Sequence, residues 1–239
     1  SVPSVAGTNT VSLPANTGTA ILDYSTPAFR NRIINGAMVI NQRGSQTGLG
    51  ANSAYTVDRW LLGRENASQA ARFTVTNTAL TSSDTPLVQD GLSYMLQANI
   101  TTASGGISAG YSNYFTQRIE GFNVADFAWG TASAKPVTLS FWAKTANKTG
   151  TMAVSLYSGA GRNYVQTVSM TTAWQKFTLT FSGDTSGSIL TSDNNSQLQL
   201  MFVLSAGSNF QVTANQWNTG FANSTSGQAD FTDSTSNVF

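Results

Sequence analysis

A chain of 239 residues, 40% of them hydrophobic, can bury the core of one large all-β domain or two small ones. Only 10% of its residues are charged and the formal net charge is +1, which excludes the strong basic footprint of a nucleic-acid or acidic-membrane binder. The sequence contains no histidine and no cysteine, which excludes disulfides, thiolate metal sites and the usual histidine base of a nucleophilic triad.

Residues 1–28 are rich in Ser, Thr, Asn, Ala and Gly, with Pro3, Pro14 and Pro27 spaced through them. They read as an extended arm that attaches the protein or contacts sister chains. Ser1 to Asn9 has neither the basic start nor the apolar core of a signal peptide, so if the protein leaves its cell a route other than general secretion, such as cell lysis, is expected. The domain proper is predicted over residues 29–239. Its first strand is expected at 29–44, broken by the turn signal Asn35-Gly36. Apolar residues resume at Val57, Trp60 and Leu62, then at Phe73 and Val75 in the next strand. Residues 81–91 read as a loop. Tyr94, Leu96 and Ala98 alternate in the following strand, and Tyr114 and Phe115 give weight to the one at 111–119.

Residues 120–129 form the one plausible helix, of one or two turns, with Val124, Phe127 and Ala128 at helical spacing. The clearest strand follows. Val137, Leu139, Phe141 and Ala143 fall on one side of a period-two pattern, and Thr138, Ser140, Trp142 and Lys144 on the other. Further strands are predicted at 151–157 and 164–170. At 174–181 Phe177, Leu179 and Phe181 alternate with polar residues. At 198–204 Leu198, Leu200, Phe202 and Leu204 point one way. Such strands need a shared core, and turn signals recur every 8–12 residues or so. The fold class is therefore all-β: an antiparallel β-sandwich of jelly-roll type with an extended N-terminal arm and at most one short helix.

No apolar run approaches the roughly 20 residues of a membrane span. Glu65 and Glu120 are the only glutamates and the nine aspartates are scattered singly, so no catalytic constellation stands out and a non-enzymatic role is expected. Asp230 and Asp233 lie three apart in a Ser/Thr loop, as half of a structural calcium site or as simple turn-makers. Otherwise no cofactor is implied. Neutral sugars offer the better chemical match, because aromatic faces cover their C–H patches while amides and charged groups take their hydroxyls. The candidate ligand-binding residues are Trp142, Tyr157, Arg162, Tyr164 and Gln199. Trp142 is the sharpest of them, since it points away from the Phe141 face. The competing reading packs it under a loop or a neighbouring subunit.

Two stretches carry a resemblance. Arg30-Asn-Arg-Ile-Ile-Asn-Gly-Ala-Met-Val-Ile-Asn-Gln-Arg-Gly44, followed by Tyr55-Thr-Val-Asp-Arg-Trp60, resembles the opening of a domain common in bacteriophage tail-fibre and other virion proteins. The run from Gln117-Arg-Ile-Glu-Gly121 through Val137-Thr-Leu-Ser-Phe-Trp-Ala-Lys144 to Trp174-Gln-Lys-Phe-Thr-Leu-Thr-Phe181 resembles the same family, and its second half is similar to jelly-roll carbohydrate-binding modules. The resemblance implies a β-sandwich on the outside of a phage particle, tail or capsid. It implies a homo-oligomer, typically a trimer, joined to other virion proteins and in contact with host-surface glycans. Capsid decoration and a carbohydrate-binding module of a polysaccharide-degrading enzyme are the alternatives. In that family a further strand usually follows the position of Phe239, so either more chain or a neighbour is expected to supply it.

Overall fold

The computed structural model describes residues 31–50, 52–66 and 68–239. The expected arm falls outside them, as does the start of the expected first strand. Among the described residues, twelve strands form two layers. Seven of them make the back sheet, in the order β12-β9-β8-β11-β6-β3-β2. These are β2 (Ala54–Tyr55), β3 (Leu61–Glu65), β6 (Ser112–Glu120), β8 (Gly150–Ser158), β9 (Arg162–Met170), β11 (Ser196–Ala206) and β12 (Trp217–Thr219). The front layer holds β1 (Gln46–Leu49), β4 (Arg72–Ala79) and β5 (Tyr94–Thr102), ordered β1-β4-β5, and a ribbon of β7 (Val137–Ala143) with β10 (Gln175–Phe181). Every named strand pair is antiparallel.

The period-two patterns place one face of each strand inward. Leu139, Phe141, Phe177 and Leu179 of the ribbon pack on Val154, Leu156, Val168, Leu198 and Leu200 of the back sheet. Phe73, Val75, Ala98 and Ile100 meet Leu62, Phe115 and Leu204 in the same way. Burying such a side chain contributes about 1.5–3 kcal/mol, so these two clusters define the sandwich. The two parts of the front layer are joined by residues 237–239. Ala98 and Phe239 exchange backbone hydrogen bonds of 2.8 and 3.0 Å, and Ala146 N–H donates to Val238 C=O at 2.8 Å.

Two expectations are corrected. Residues 31–44 contain no strand. Asn35, at φ 54°, bonds back through its side chain to Ile40 and Asp58, and Ile34 is tied to the Gln117 side chain, so the segment folds as a turn-rich clasp. The helix is elsewhere. Helix α1 (Thr85–Gln89) begins with Thr85-Pro86 inside the expected loop, whereas 121–127 makes only two 3-10 turns that bury Val124. Among the described residues no helix is long and apolar enough to cross a membrane.

Candidate functional site

The outer face of the ribbon carries Trp142, as the alternation requires. It also carries a structure built twice. Trp142 donates its indole N–H to Asp90 at 2.9 Å, and Lys176 reaches the same carboxylate at 2.6 Å while its ammonium lies 5.5 Å from the Trp142 ring centre. One step along, Trp174 donates to Asp84 at 2.8 Å, and Lys144 reaches Asp84 at 3.3 Å and sits 4.6 Å over the Trp174 ring. The cross-strand pairing of Trp142 with Lys176 sets this geometry. Asp84 and Asp90 come from the ends of the 82–90 segment, which closes over the ribbon. The indole N–H, the Thr81 backbone N–H, the Thr81 hydroxyl and the Lys144 ammonium hold Asp84 far below the usual carboxylate range, against the opposing effect of burial. Trp142 is therefore committed to its own chain at its polar edge and beneath a cation.

The back sheet's outer face is different. In its register Arg118 lies opposite Gln199, Gln199 opposite Tyr157 and Tyr157 opposite Asn163, on strands β6, β11, β8 and β9. Three strand spacings make this row roughly 14 Å long. It adjoins an apolar cluster of Tyr114, Val165, Met201 and Val203, partly covered by Phe210, Val212 and Phe221 from the segment after β11. Tyr157 meets Phe221 edge-on at 5.1 Å. Gly63 makes room for this surface, because a Cβ there would fall 2.2 Å from the Tyr114 ring. Tyr114 donates its hydroxyl to Glu65 at 2.8 Å. Burial, then the Glu65 charge, raises its pKa above the ordinary tyrosine value.

Past Arg118 the row opens into a cleft of about 270 Å³. Arg43 pairs with Asp58 at 3.2 Å and lies 5.4 Å from the ring centre of Tyr55, which is 48% exposed. Arg59 donates to Glu120 at 2.7 Å and to the Arg118 carbonyl at 3.2 Å. Burial is the largest single influence on Glu120 and opposes its ionisation, but the Arg59 bond, a backbone N–H, the Arg59 charge and the Asn123 amide together outweigh it and lower the carboxyl pKa. Arg59 sits at φ 72°. That left-handed conformation costs a non-glycine residue about 1–2 kcal/mol. The turn that imposes it is closed by Trp60 N–H to Val57 C=O at 2.8 Å.

Of the sequence-derived candidates, Tyr157 and Gln199 are brought together; Trp142 stands on the opposite outer face. Tyr164 is a correction. It belongs to the inward phase of β9, is 6% exposed and packs edge-on with Phe181 and Trp217, so no ligand reaches it. Arg162 is spoken for by Asp184 at 2.6 Å, whose side chain is only 3% exposed. Asp230 and Asp233 do not share a partner. Asp230 accepts from Ser104 and Thr232, and Asp233 from Lys148 and Asn237, so the two carboxylates serve separate turns. No group of three or more acidic, His or Cys side chains converges among the described residues. Sequence reading missed Arg43, Tyr55, Arg59 and Arg118. Tyr55 and Arg59 fall in the Tyr55-Thr-Val-Asp-Arg-Trp60 run, which places a turn beside an exposed aromatic, while Arg43 and Arg118 fall in the 30–44 and 117–121 runs, which do not mark them as site residues.

No family model and no curated protein matches the chain. Among solved structures it is similar to a CBM4 carbohydrate-binding module, with 21% identity and a TM-score of 0.36, covering 78% of this chain and 91% of that one. It is also similar to the enzymatically active domain of tailspike protein 4 of bacteriophage CBA120. There the identity is 13% and the TM-score 0.36, over 72% of this chain and 19% of that one.

Proposed function

We propose that the protein is a non-enzymatic virion surface protein of tail-fibre type whose back sheet binds host-surface glycans. The observation that carries this is the outward row Arg118–Gln199–Tyr157, an amide between a guanidinium and an aromatic ring. The side-chain amide of Gln199 and the guanidinium of Arg118 have no hydrogen-bond partner among the described residues, so the donors of both and the acceptor of the amide are free for sugar hydroxyls. The resemblance of residues 30–60 and 117–181 to phage virion domains, the sparsely charged surface and the missing catalytic groups support the same reading. The test is a glycan array probed with the intact protein and with Tyr157→Ala and Gln199→Ala. The expected result is binding to a restricted set of glycans that both variants weaken. An array blank for the intact protein overturns the proposal.

A second reading, a capsid decoration protein with a structural role, has its own observation. Ile34, Val39 and Ile40 are 44–54% exposed on the clasp, and Phe122 and Ile189 are each 66% exposed. Such side chains suit contact between copies in a homo-oligomer or with other particle proteins. Immunogold labelling of purified particles distinguishes tail from capsid.

A further inference from the structure

We propose that the cleft beside Arg118 is a subsite for the carboxylate of an acidic sugar, so that the glycan held on the back sheet is a uronate-type one. This rests on the glycan-binding reading above and narrows it. The cleft brings together Arg43, Arg59 and Arg118, remote in sequence, with only two carboxylates, Asp58 and Glu120. Three positive groups against two negative ones leave one positive charge. The chain as a whole carries no more than that over all its residues.

The ion pairs show where the surplus lies. Arg43 is answered by Asp58 and Arg59 by Glu120, whereas Arg118 has no carboxylate partner among the described residues. Arg118 is exposed on the strand next to Gln199. A planar guanidinium takes a carboxylate through two parallel hydrogen bonds, a match that a hydroxyl cannot equal. Asp58 and Glu120, pinned by their arginines, are placed to accept from sugar hydroxyls. Tyr55 offers a ring for the C–H face of the same residue. The left-handed backbone at Arg59 is the local cost of turning that side chain into the cleft. A neutral-sugar site would have no use for an unanswered guanidinium at its mouth, and a bare anion site would have no use for Tyr55 and two carboxylates.

The experiment is calorimetric titration of the intact protein with matched pairs: a neutral oligosaccharide, the same oligosaccharide bearing one glucuronic acid, and that acid converted to its amide. Glucuronate, acetate and inorganic phosphate are titrated separately. The expected result is an affinity about tenfold higher for the acid than for the amide, shrinking as salt is raised. Arg118→Gln brings the acid-to-amide ratio to about one, whereas Tyr157→Ala lowers both affinities and leaves the ratio standing. Equal affinity for acid and amide overturns this inference and leaves the glycan reading intact. No binding of any oligosaccharide overturns both. Acetate or phosphate binding as tightly as glucuronate overturns the sugar assignment, because the site would then be a simple anion trap.

Discussion

The two outer faces of this sandwich use similar side chains to opposite ends. On the ribbon, two tryptophans, two lysines and two aspartates close on one another, and the indole N–H and ammonium groups find partners within the chain. On the back sheet, Arg118, Gln199 and Tyr157 stand in register, and their side chains make no hydrogen bond among the described residues. An outward aromatic is therefore not by itself a platform. What matters is whether its polar neighbours are already satisfied. The ribbon uses its aromatics to hold the 82–90 segment down, whereas the back sheet leaves the Arg118 guanidinium and the Gln199 amide unpaired among the described residues.

Breaking the ribbon's buried unit should cost the most stability. Asp84→Asn removes the charge that Lys144, Trp174 and Thr81 all address, and its side chain is only 10% exposed. A loss of about 2–3 kcal/mol is expected in denaturant unfolding. The pH dependence follows from the sign of the shift. The folded-state pKa lies below the unfolded value of about 3.9, so the carboxylate's stabilisation is fully present above that value. It is lost progressively as pH falls toward the folded pKa. The gap between the parent protein and Asp84→Asn should therefore be widest near neutral pH and narrow in acid; a gap that widens in acid refutes the assignment.

Substitutions at the two outward aromatics separate the faces by a smaller amount. Trp142→Ala is expected to leave glycan affinity unchanged, while Tyr157→Ala reduces it about tenfold or more. Losing Tyr157 also removes an edge-on partner of Phe221, for which about 1 kcal/mol of stability is expected. Equal loss of binding for both variants in the same titration would show that the ribbon face takes part. Arg118→Gln should shift stability by less than about 0.5 kcal/mol, because its exposed side chain holds nothing in place.

The strands were legible because period-two alternation over seven or more residues has few other interpretations. Val137–Ala143 and Gln175–Phe181 lie within the stretches whose patterns marked them. The clasp at 31–44 was not, since its apolar residues suggest a strand while the Asn35 side chain supplies the bonds that bend the chain. The direction of Trp142 could be read from phase alone. Its commitment could not, because Asp90 lies 52 positions away in a segment without periodic signal. Tyr164 misled for a related reason: nothing local tells an inward tyrosine from an outward one when the strand is buried on both faces. The arginine cleft is the extreme case, assembled from a clasp, a strained turn and a central strand.

The finest test sets the two ribbon units against each other. Asp90 has the same partners as Asp84, a lysine and an indole, and those bonds lower its carboxyl pKa too. Its side chain is 40% exposed, and Lys176 is 50% exposed. Water and salt screen an open pair, and the side-chain entropy of holding it offsets much of the attraction. Asp90→Asn is accordingly expected to move the unfolding midpoint far less than Asp84→Asn, by an amount that fades further as salt is added. Asp84→Asn should keep most of its effect in the same salt. If the two variants respond alike, burial is not what separates the units, and the 82–90 segment is held by its apolar contacts, with Leu87 the first candidate at 2% exposure.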